Sequence, residues 1–285
     1  MKILVTGSYG QVGKSLFNHL NPNIEVFWTG KNIPKEKKGF YLDICDRINL
    51  KELISLHDPD IVINLAALTN VDFCEKNSDL AREININGVG NICDTFTGKI
   101  VQLSTDYVFD GNNGPYIEED EVSPLSVYGK TKLEAEKIVM SHNSDNLIIR
   151  GNVLYDNCLN SQSSFLNWLV QSLKEKNPIN VVDDQINNPT WVQSMAKVIG
   201  LCIDKNIHGL YHWGDAEFLS RYKFAQMIAK HYNFETKLIN PISTEKLGQV
   251  APRPLNSGLI SDKLKSELNI QQPSITECLN KIILI

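Results

Sequence analysis

The most constraining feature of this chain lies at its amino end, where Ile3-Leu4-Val5-Thr6 leads straight into Gly7-Ser8-Tyr9-Gly10-Gln11-Val12-Gly13. Consecutive aliphatic residues without polar alternation describe a strand covered on both faces, the kind found inside a parallel sheet. Gly7 permits a tight turn, Gly10 leaves the backbone open to a group that must come close, and Gly13 lets the next helix lie against the strand. A helix beginning at such a turn presents unpaired N–H groups and the positive end of its dipole, which together favour phosphate. The G-x-x-x-x-G-K-S/T pattern of a P-loop is absent.

Strand and helix signals then alternate. Apolar strands are expected at 3–6, 24–29, 61–64, 100–104 and 147–149, with helices from Gly7 to about Leu20 and over 47–56, 79–97 and 124–141. This rhythm predicts an α/β fold, a Rossmann doubly wound parallel sheet covered by helices on both faces. Beyond about Asn152 the rhythm breaks, and helices at 165–174, 192–202 and 221–232 are joined by Asn-, Pro- and Gly-rich connections. A smaller, mixed α/β substrate-binding part toward the C-terminus is therefore expected. The expected division is 1–152 plus roughly 190–212 for the dinucleotide-binding domain, and roughly 153–189 and 213–285 for a discontinuous substrate part.

Composition excludes several classes. A net charge of −5, with Lys35-Glu36-Lys37-Lys38 as the densest charge cluster, gives no electrostatic reason to expect nucleic acid. The longest apolar run, Ile61 to Leu68, is interrupted by Asn64 and too short for a membrane span. The opening Met1-Lys2-Ile3-Leu4-Val5 lacks the features of a signal peptide, so a cytoplasmic location is expected. Six scattered cysteines (Cys45, Cys74, Cys93, Cys158, Cys202, Cys278) fit reduced, packed thiols. His208 and His212 are separated by Gly209 and an expected strand, and no histidine pair has a ligand spacing, so no metal is expected.

The identity of the dinucleotide depends on the end of the second strand, where NAD enzymes commonly carry an acid. Here Phe27-Trp28-Thr29-Gly30-Lys31-Asn32 has none, and Lys31 suits a 2′-phosphate, so the expected cofactor is NADPH, with NADH open.

Tyr128-Gly129-Lys130-Thr131-Lys132 places a phenol and an ammonium on one helical face, with Ser123-Pro124 as the expected helix start. A tyrosine titrating near ~10 needs a nearby cation to work as a proton donor and acceptor, and Lys132 supplies one that can also bind the nicotinamide ribose. Thr105, with Ser104 nearer the cofactor, lies at the carboxyl end of the preceding strand, where a hydroxyl can hydrogen-bond a substrate carbonyl oxygen.

These residues carry a resemblance. The runs Gly10-Gln11-Val12-Gly13, Asn64-Leu65-Ala66-Ala67-Leu68-Thr69-Asn70-Val71-Asp72 and Ser104-Thr105-Asp106-Tyr107-Val108-Phe109-Asp110-Gly111 resemble the dTDP-4-dehydrorhamnose reductase family of the extended short-chain dehydrogenase/reductases. Tyr128-Gly129-Lys130-Thr131-Lys132-Leu133-Glu134, Asp184-Gln185-Ile186-Asn187-Asn188-Pro189-Thr190 and Arg253-Pro254 follow in family order. The resemblance implies reduction of the 4-keto group of a nucleotide-linked 6-deoxy sugar, with hydride from the nicotinamide and the proton from Tyr128. It implies cofactor contacts by Gly10, Gln11, Val12, Asp43, Ile44, Ala66, Ala67 and Thr69, beside Gly7, Gly13, Lys31, Ser104, Tyr128 and Lys132. Val71, Thr105, Asp106, Tyr107 and Tyr128 would line the sugar pocket, with Gln185 and Arg253 toward the nucleotide or its diphosphate.

Three positions depart from the pattern. Val153 stands where these reductases carry a substrate-contacting tryptophan, which reshapes the pocket and admits a 2-acetamido sugar or a UDP carrier. Ser15 replaces a glutamate that helps some members bind magnesium between subunits, so a monomer or a homodimer without that metal is expected. Tyr107 occupies the position of a cysteine used by related epimerase–reductases, which favours reduction without epimerisation. Two other readings stay open: a non-catalytic regulatory subunit similar to that of methionine adenosyltransferase, and a sugar-nucleotide epimerase or dehydratase.

Overall fold

The computed structural model describes residues 1–157 and 164–284. The amino-terminal run forms β1 (Lys2–Thr6), followed by β2 (Glu25–Gly30), β3 (Phe40–Tyr41), β4 (Ile61–Asn64), β5 (Lys99–Thr105) and β6 (Leu147–Gly151). The next four strands lie outside this sheet: β7 (Leu154–Tyr155), β8 (Ile179–Val182), β9 (Ile186–Asn187) and β10 (Thr190–Trp191). The chain then returns in β11 (Gly209–Trp213), which completes a seven-stranded parallel sheet in the order β11-β6-β5-β4-β1-β2-β3. The order reverses between β1 and β4, so the crevice at their carboxyl ends is where such a sheet receives a ligand.

The unbroken apolar strands are explained by burial on both faces. Ile3, Val5, Ile63 and Ile149 point to one side, where α1 (Gln11–Leu16) packs, while Leu4, Val62 and Ile148 point to the other. That second face is covered by α2 (Arg47–His57), whose amino end Asp46 caps, while α3 (Val71–Lys76) and α4 (Ser78–Arg82) lead to α5 (Gly88–Thr95) and α6 (Val127–His142), which also cover it. Both α3 and α4 pack against α6.

A second core lies apart from the sheet. It holds α7 (Phe165–Lys174), with Leu166, Leu169 and Leu173 on its apolar stripe. The helix α8 (Val192–Asp204) returns to the sheet and packs on α1, before β11. The chain then forms β12 (Leu219–Ser220), α9 (Arg221–His231) and β13 (Ile239–Ile242). The pair β8–β13 is parallel and β9–β12 antiparallel, and Phe224 and Ile228 of α9 enter the second core. Three short helices finish the chain: α10 (Thr244–Leu247), α11 (Asp262–Leu268) and α12 (Ile275–Leu279).

Three expectations differ from what forms. The helix expected over 79–97 is divided into α4, a wide π-helical turn (Glu83–Asn87) and α5, with α3 preceding it. Asn85 in that turn accounts for the break: its side chain binds both the N–H (2.8 Å) and the carbonyl (3.1 Å) of Leu68, and reaches Thr131 Oγ1. The start of α6 is set by Ser126, whose hydroxyl accepts from Gly129 N, so Ser123-Pro124 lies before the helix. Finally, α11 packs Leu264 and Leu268 into the core of the sheet, although the sequence grouped that stretch with the substrate part.

The described cysteines Cys45, Cys74, Cys93, Cys202 and Cys278 are free, while Cys158 lies outside the described residues. Among the described residues no helix is long and apolar enough to cross a membrane.

Candidate active site

The glycine turn forms a cradle at the crevice. Gly7 has φ +63°, a left-handed conformation that glycine adopts without a steric penalty. A Cβ on Gly13 would lie 2.2 Å from the Ser8 carbonyl oxygen, so the close approach of helix and strand requires its absence. Ser8 anchors the turn, donating to Val5 O and accepting from Thr29 N. Gly10 is exposed and gives α1 no side-chain cap, whereas α2, α3 and α6 are capped by Asp46, Asn70 and Ser126. An open, glycine-lined helix start fits a pyrophosphate. Gln11 is half-buried beside it, and the Val12 side chain lies in the core, leaving only its backbone to meet a ligand.

At the end of β2, Lys31 Nζ lies 2.7 Å from Asp43 Oδ2. Burial raises the Asp43 carboxyl, but the hydrogen bonds from Lys31 and Cys45 together with the Lys31 charge outweigh it and hold Asp43 below the usual carboxylate value. Lys31 is therefore half of a surface pair and not the free point charge that its loop position suggests. Ile44 is buried, and a Cβ on Gly88 would press against its side chain. In the loop after β4, Ala66 and Ala67 are half-buried and Thr69 is exposed, with Ala66 N held by Thr6 Oγ1 and Asn64 Oδ1. Val71 opens α3.

The reacting groups converge where α6 meets the end of β5. Gly129 allows this, because a Cβ there would lie 2.1 Å from the Tyr107 carbonyl oxygen. Tyr128 lies beside Thr105, and its ring meets that of Tyr107 edge-on at 5.7 Å. Burial pushes the Tyr128 phenol above its ordinary value, with the Thr105 hydrogen bond pulling the other way. Thr105 Oγ1 also donates to Asp106 Oδ1 and accepts from Tyr107 N. Asp106, 1% exposed, takes a second hydrogen bond from Ser257 Oγ, and burial pushes it up to about 6.

Lys132 and Ser104 occupy places that the motif does not reveal. The Lys132 ammonium is buried and donates to Leu103 O at 2.7 Å, so its direct partner is backbone and not the phenol. Burial lowers it to about 8, and Glu136 one turn along opposes that fall. Ser104 turns its hydroxyl onto Glu136 Oε1, which ties β5 to α6. Glu136 in turn forms a buried fork with Arg150, at 2.9 and 2.7 Å.

The opposite wall comes from distant segments. Arg253, with its side chain 7% exposed, pairs with Asp72 at 3.0 Å and donates to Ala251 O. Arg221, the first residue of α9, places its guanidinium over the Phe165 ring at 5.5 Å. Val153 sits at φ +36°, a strained conformation for a β-branched residue. The Gln185 amide nitrogen is spent on Thr244 and Gln249, so this residue braces a loop and does not offer a free donor. Ser15, 5% exposed, accepts from Gln193 Nε2. Asn85, Glu136, Arg221 and Ser257 escape the sequence reading. Each acts through a fold contact, and only the position of Glu136 four residues after Lys132 gives a local signal.

Fold and site together define a class: a dinucleotide-binding α/β protein of the extended short-chain dehydrogenase/reductase type. The chain belongs to the family described as RmlD substrate binding domain, whose model matches residues 1–284. It is 31% identical over 289 residues to the spore coat polysaccharide biosynthesis protein SpsK of Bacillus subtilis, covering 99% of this chain and 96% of that protein. It is 30% identical over 279 residues to the methionine adenosyltransferase 2 subunit beta of Xenopus tropicalis, covering 93% and 81%. A crystal structure of dTDP-4-dehydrorhamnose reductase from Bacillus anthracis, in complex with NADP, superposes with a TM-score of 0.90 at 31% identity, covering 99% of this chain and 98% of that one.

Proposed function

We propose that this protein reduces the 4-keto group of a nucleotide-linked 4-keto-6-deoxy sugar, using NADPH or NADH. The observation that carries this reading is the close approach of α6 to the end of β5, which brings Tyr128 against Tyr107 and beside Thr105 at the carboxyl edge of the sheet, on the crevice that holds the glycine cradle. The similarity to an NADP-complexed dTDP-4-dehydrorhamnose reductase supports it.

The cradle of Gly7, Gly10 and Gly13 would hold the pyrophosphate, and the Lys31–Asp43 pair lies toward the adenosine end. When bound, the reduced nicotinamide supplies a hydride to the keto carbon. Thr105 and Tyr128 bracket the keto oxygen, and Tyr128 donates its proton as negative charge develops there. The raised phenol suits this direction, because Tyr128 is fully protonated at neutral pH and ready to give a proton. Lys132 has three donors, of which Leu103 O uses one, leaving the others for the nicotinamide ribose and for steadying the phenolate left behind.

The test is a turnover screen. Purified protein with NADPH or NADH is offered 4-keto-6-deoxy sugars on dTDP, UDP and GDP carriers, with and without a 2-acetamido group. Oxidation of the nicotinamide with one of them is expected. Tight dinucleotide binding without turnover on any of them overturns the reading in favour of a regulatory subunit, the alternative that the methionine adenosyltransferase relative brings.

A further inference from the structure

Asp106 is a buried titratable group that the proposed reaction leaves unused. The resemblance puts it among the residues lining the sugar pocket, yet its side chain is buried and each carboxylate oxygen already has a hydroxyl donor. Thr105 Oγ1 donates to Oδ1 at 3.1 Å, and Ser257 Oγ donates to Oδ2 at 2.6 Å. Ser257 arrives from 151 residues further along the chain and is itself fixed, its N–H on Ile186 O at 3.0 Å and its carbonyl accepting from Asn152 Nδ2 at 3.3 Å. The fold therefore sets a carboxyl firmly against the residue that is to meet the keto oxygen.

The Thr105 hydrogen is where this matters. A hydroxyl has one hydrogen and two lone pairs, and a keto oxygen can only accept. The Thr105 oxygen accepts from Tyr107 N at 3.2 Å while its hydrogen goes to Asp106, so it has nothing to give a keto oxygen. What it turns to Tyr128 beside it is a lone pair, which competes for the phenolic proton. A protonated Asp106 reverses this. Its own O–H then donates to Thr105, Asp106 and Tyr107 N fill both lone pairs, and the Thr105 hydrogen is left for the site. The groups acting on the carboxyl are Tyr107 from the same turn, Tyr128 from α6 and Arg221 from α9, beside the two hydroxyls. Burial favours the neutral acid and outweighs the hydroxyls and Arg221, which favour the ion.

We propose that Asp106 is a positioning residue, whose neutral form turns the Thr105 hydrogen toward the keto oxygen and whose ionised form withdraws it. Asp106 keeps its proton throughout, and the proton delivered to the oxygen is that of Tyr128. The role rests on the reduction proposed above, but the direction of the hydrogen bond is measurable without turnover. In the cofactor-loaded protein, the infrared band of the protonated Asp106 carboxyl is followed against pH and assigned by its absence in Asp106→Asn. Thr105→Val removes the donor to Oδ1 and is expected to raise the titration point, as is Ser257→Ala, which removes the donor to Oδ2.

In turnover, kcat/KM is expected to fall as pH rises through that point, before the decline that Lys132 sets at about 8. Ser257→Ala should move the fall to higher pH by the same interval as the carboxyl band. Asp106→Asn imitates the neutral acid, with its NH₂ toward Thr105 and its carbonyl toward Ser257. It should raise kcat/KM by about tenfold at one pH unit above the wild-type titration point. The same substitution made in Thr105→Val protein should change nothing. A carboxyl band that Thr105→Val leaves in place overturns the proposal. So does a kcat/KM that stays level across the titration of Asp106, or an Asp106→Asn effect that persists without the Thr105 hydroxyl. If Asp106→Asn does not fold, Thr105→Val and Ser257→Ala carry the test. In a protein that turns over none of the screened sugars, the shift in Thr105→Val still decides whether Asp106 takes the Thr105 hydrogen, so failure of the reductase reading and failure of this one are told apart.

Discussion

The two walls of the cleft are built in different ways. The reacting wall comes from contiguous pieces, the glycine turn after β1, Ser104-Thr105-Asp106-Tyr107 after β5 and the Tyr128–Lys132 turn of α6, each set by its own strand end or helix cap. The opposite wall is drawn from residues that meet only in the fold: Asp72 of α3 binds Arg253 and also the Ala251 N–H, 179 residues away in the chain, while Arg221 arrives with α9. In the function proposed above, the first wall would carry proton and hydride transfer, and the second, with its charges and the strained Val153, would select the substrate.

The largest expected effect tests whether chemistry resides on the reacting wall alone. Tyr128→Phe removes the proton donor and should lower kcat by roughly 10²–10⁴-fold on the substrate found by the screen, with dinucleotide binding nearly unchanged. A variant that keeps full kcat breaks the division between the walls. Next comes the buried support of that wall. Lys132 titrates at about 8, so its positive charge is present below that pH and lost above it, and kcat/KM should decline as pH rises through about 8. Glu136 raises Lys132, and Glu136→Gln should therefore move the decline to lower pH. The same substitution leaves Arg150 without its partner and should cost about 3–5 kcal/mol of stability, measured by urea unfolding. An unshifted pH profile in folded Glu136→Gln protein would reduce Glu136 to a structural strut.

The smallest effect belongs to the opposite wall. Val153→Gly relieves a left-handed β-branched residue and should raise stability by about 1 kcal/mol in urea unfolding, against some loss of chain entropy. A destabilised variant would mean that contacts of the valine side chain outweigh its backbone strain.

The centre of the sheet was legible because both faces of β1, β4 and β6 are buried, so their residues run largely apolar, whereas the two exposed residues of the edge strand β3 carry no such signal. The interruption of the helix expected over 79–97 was not, since it depends on Asn85 binding the backbone of Leu68 and a hydroxyl on α6. The start of α6 was misplaced for a related reason. Ser123 and Ser126 are both good caps, and only the hydrogen bond to Gly129 N selects between them. The partners of Lys31 and Ser104 were not legible either, since Asp43 and Glu136 reach them from separate elements.

By itself the sequence determined the parallel sheet, the dinucleotide cradle and the Tyr128/Lys132 pair, because each depends on spacing within a turn or a few residues of one strand or helix. Only the tertiary structure decided that Tyr107 meets Tyr128 edge-on, that the Lys132 ammonium rests on Leu103, and that Arg253 pairs with Asp72. Those contacts join groups from separate elements, and the energy of a buried charge or hydrogen bond depends on the neighbours that burial brings, which no local pattern encodes.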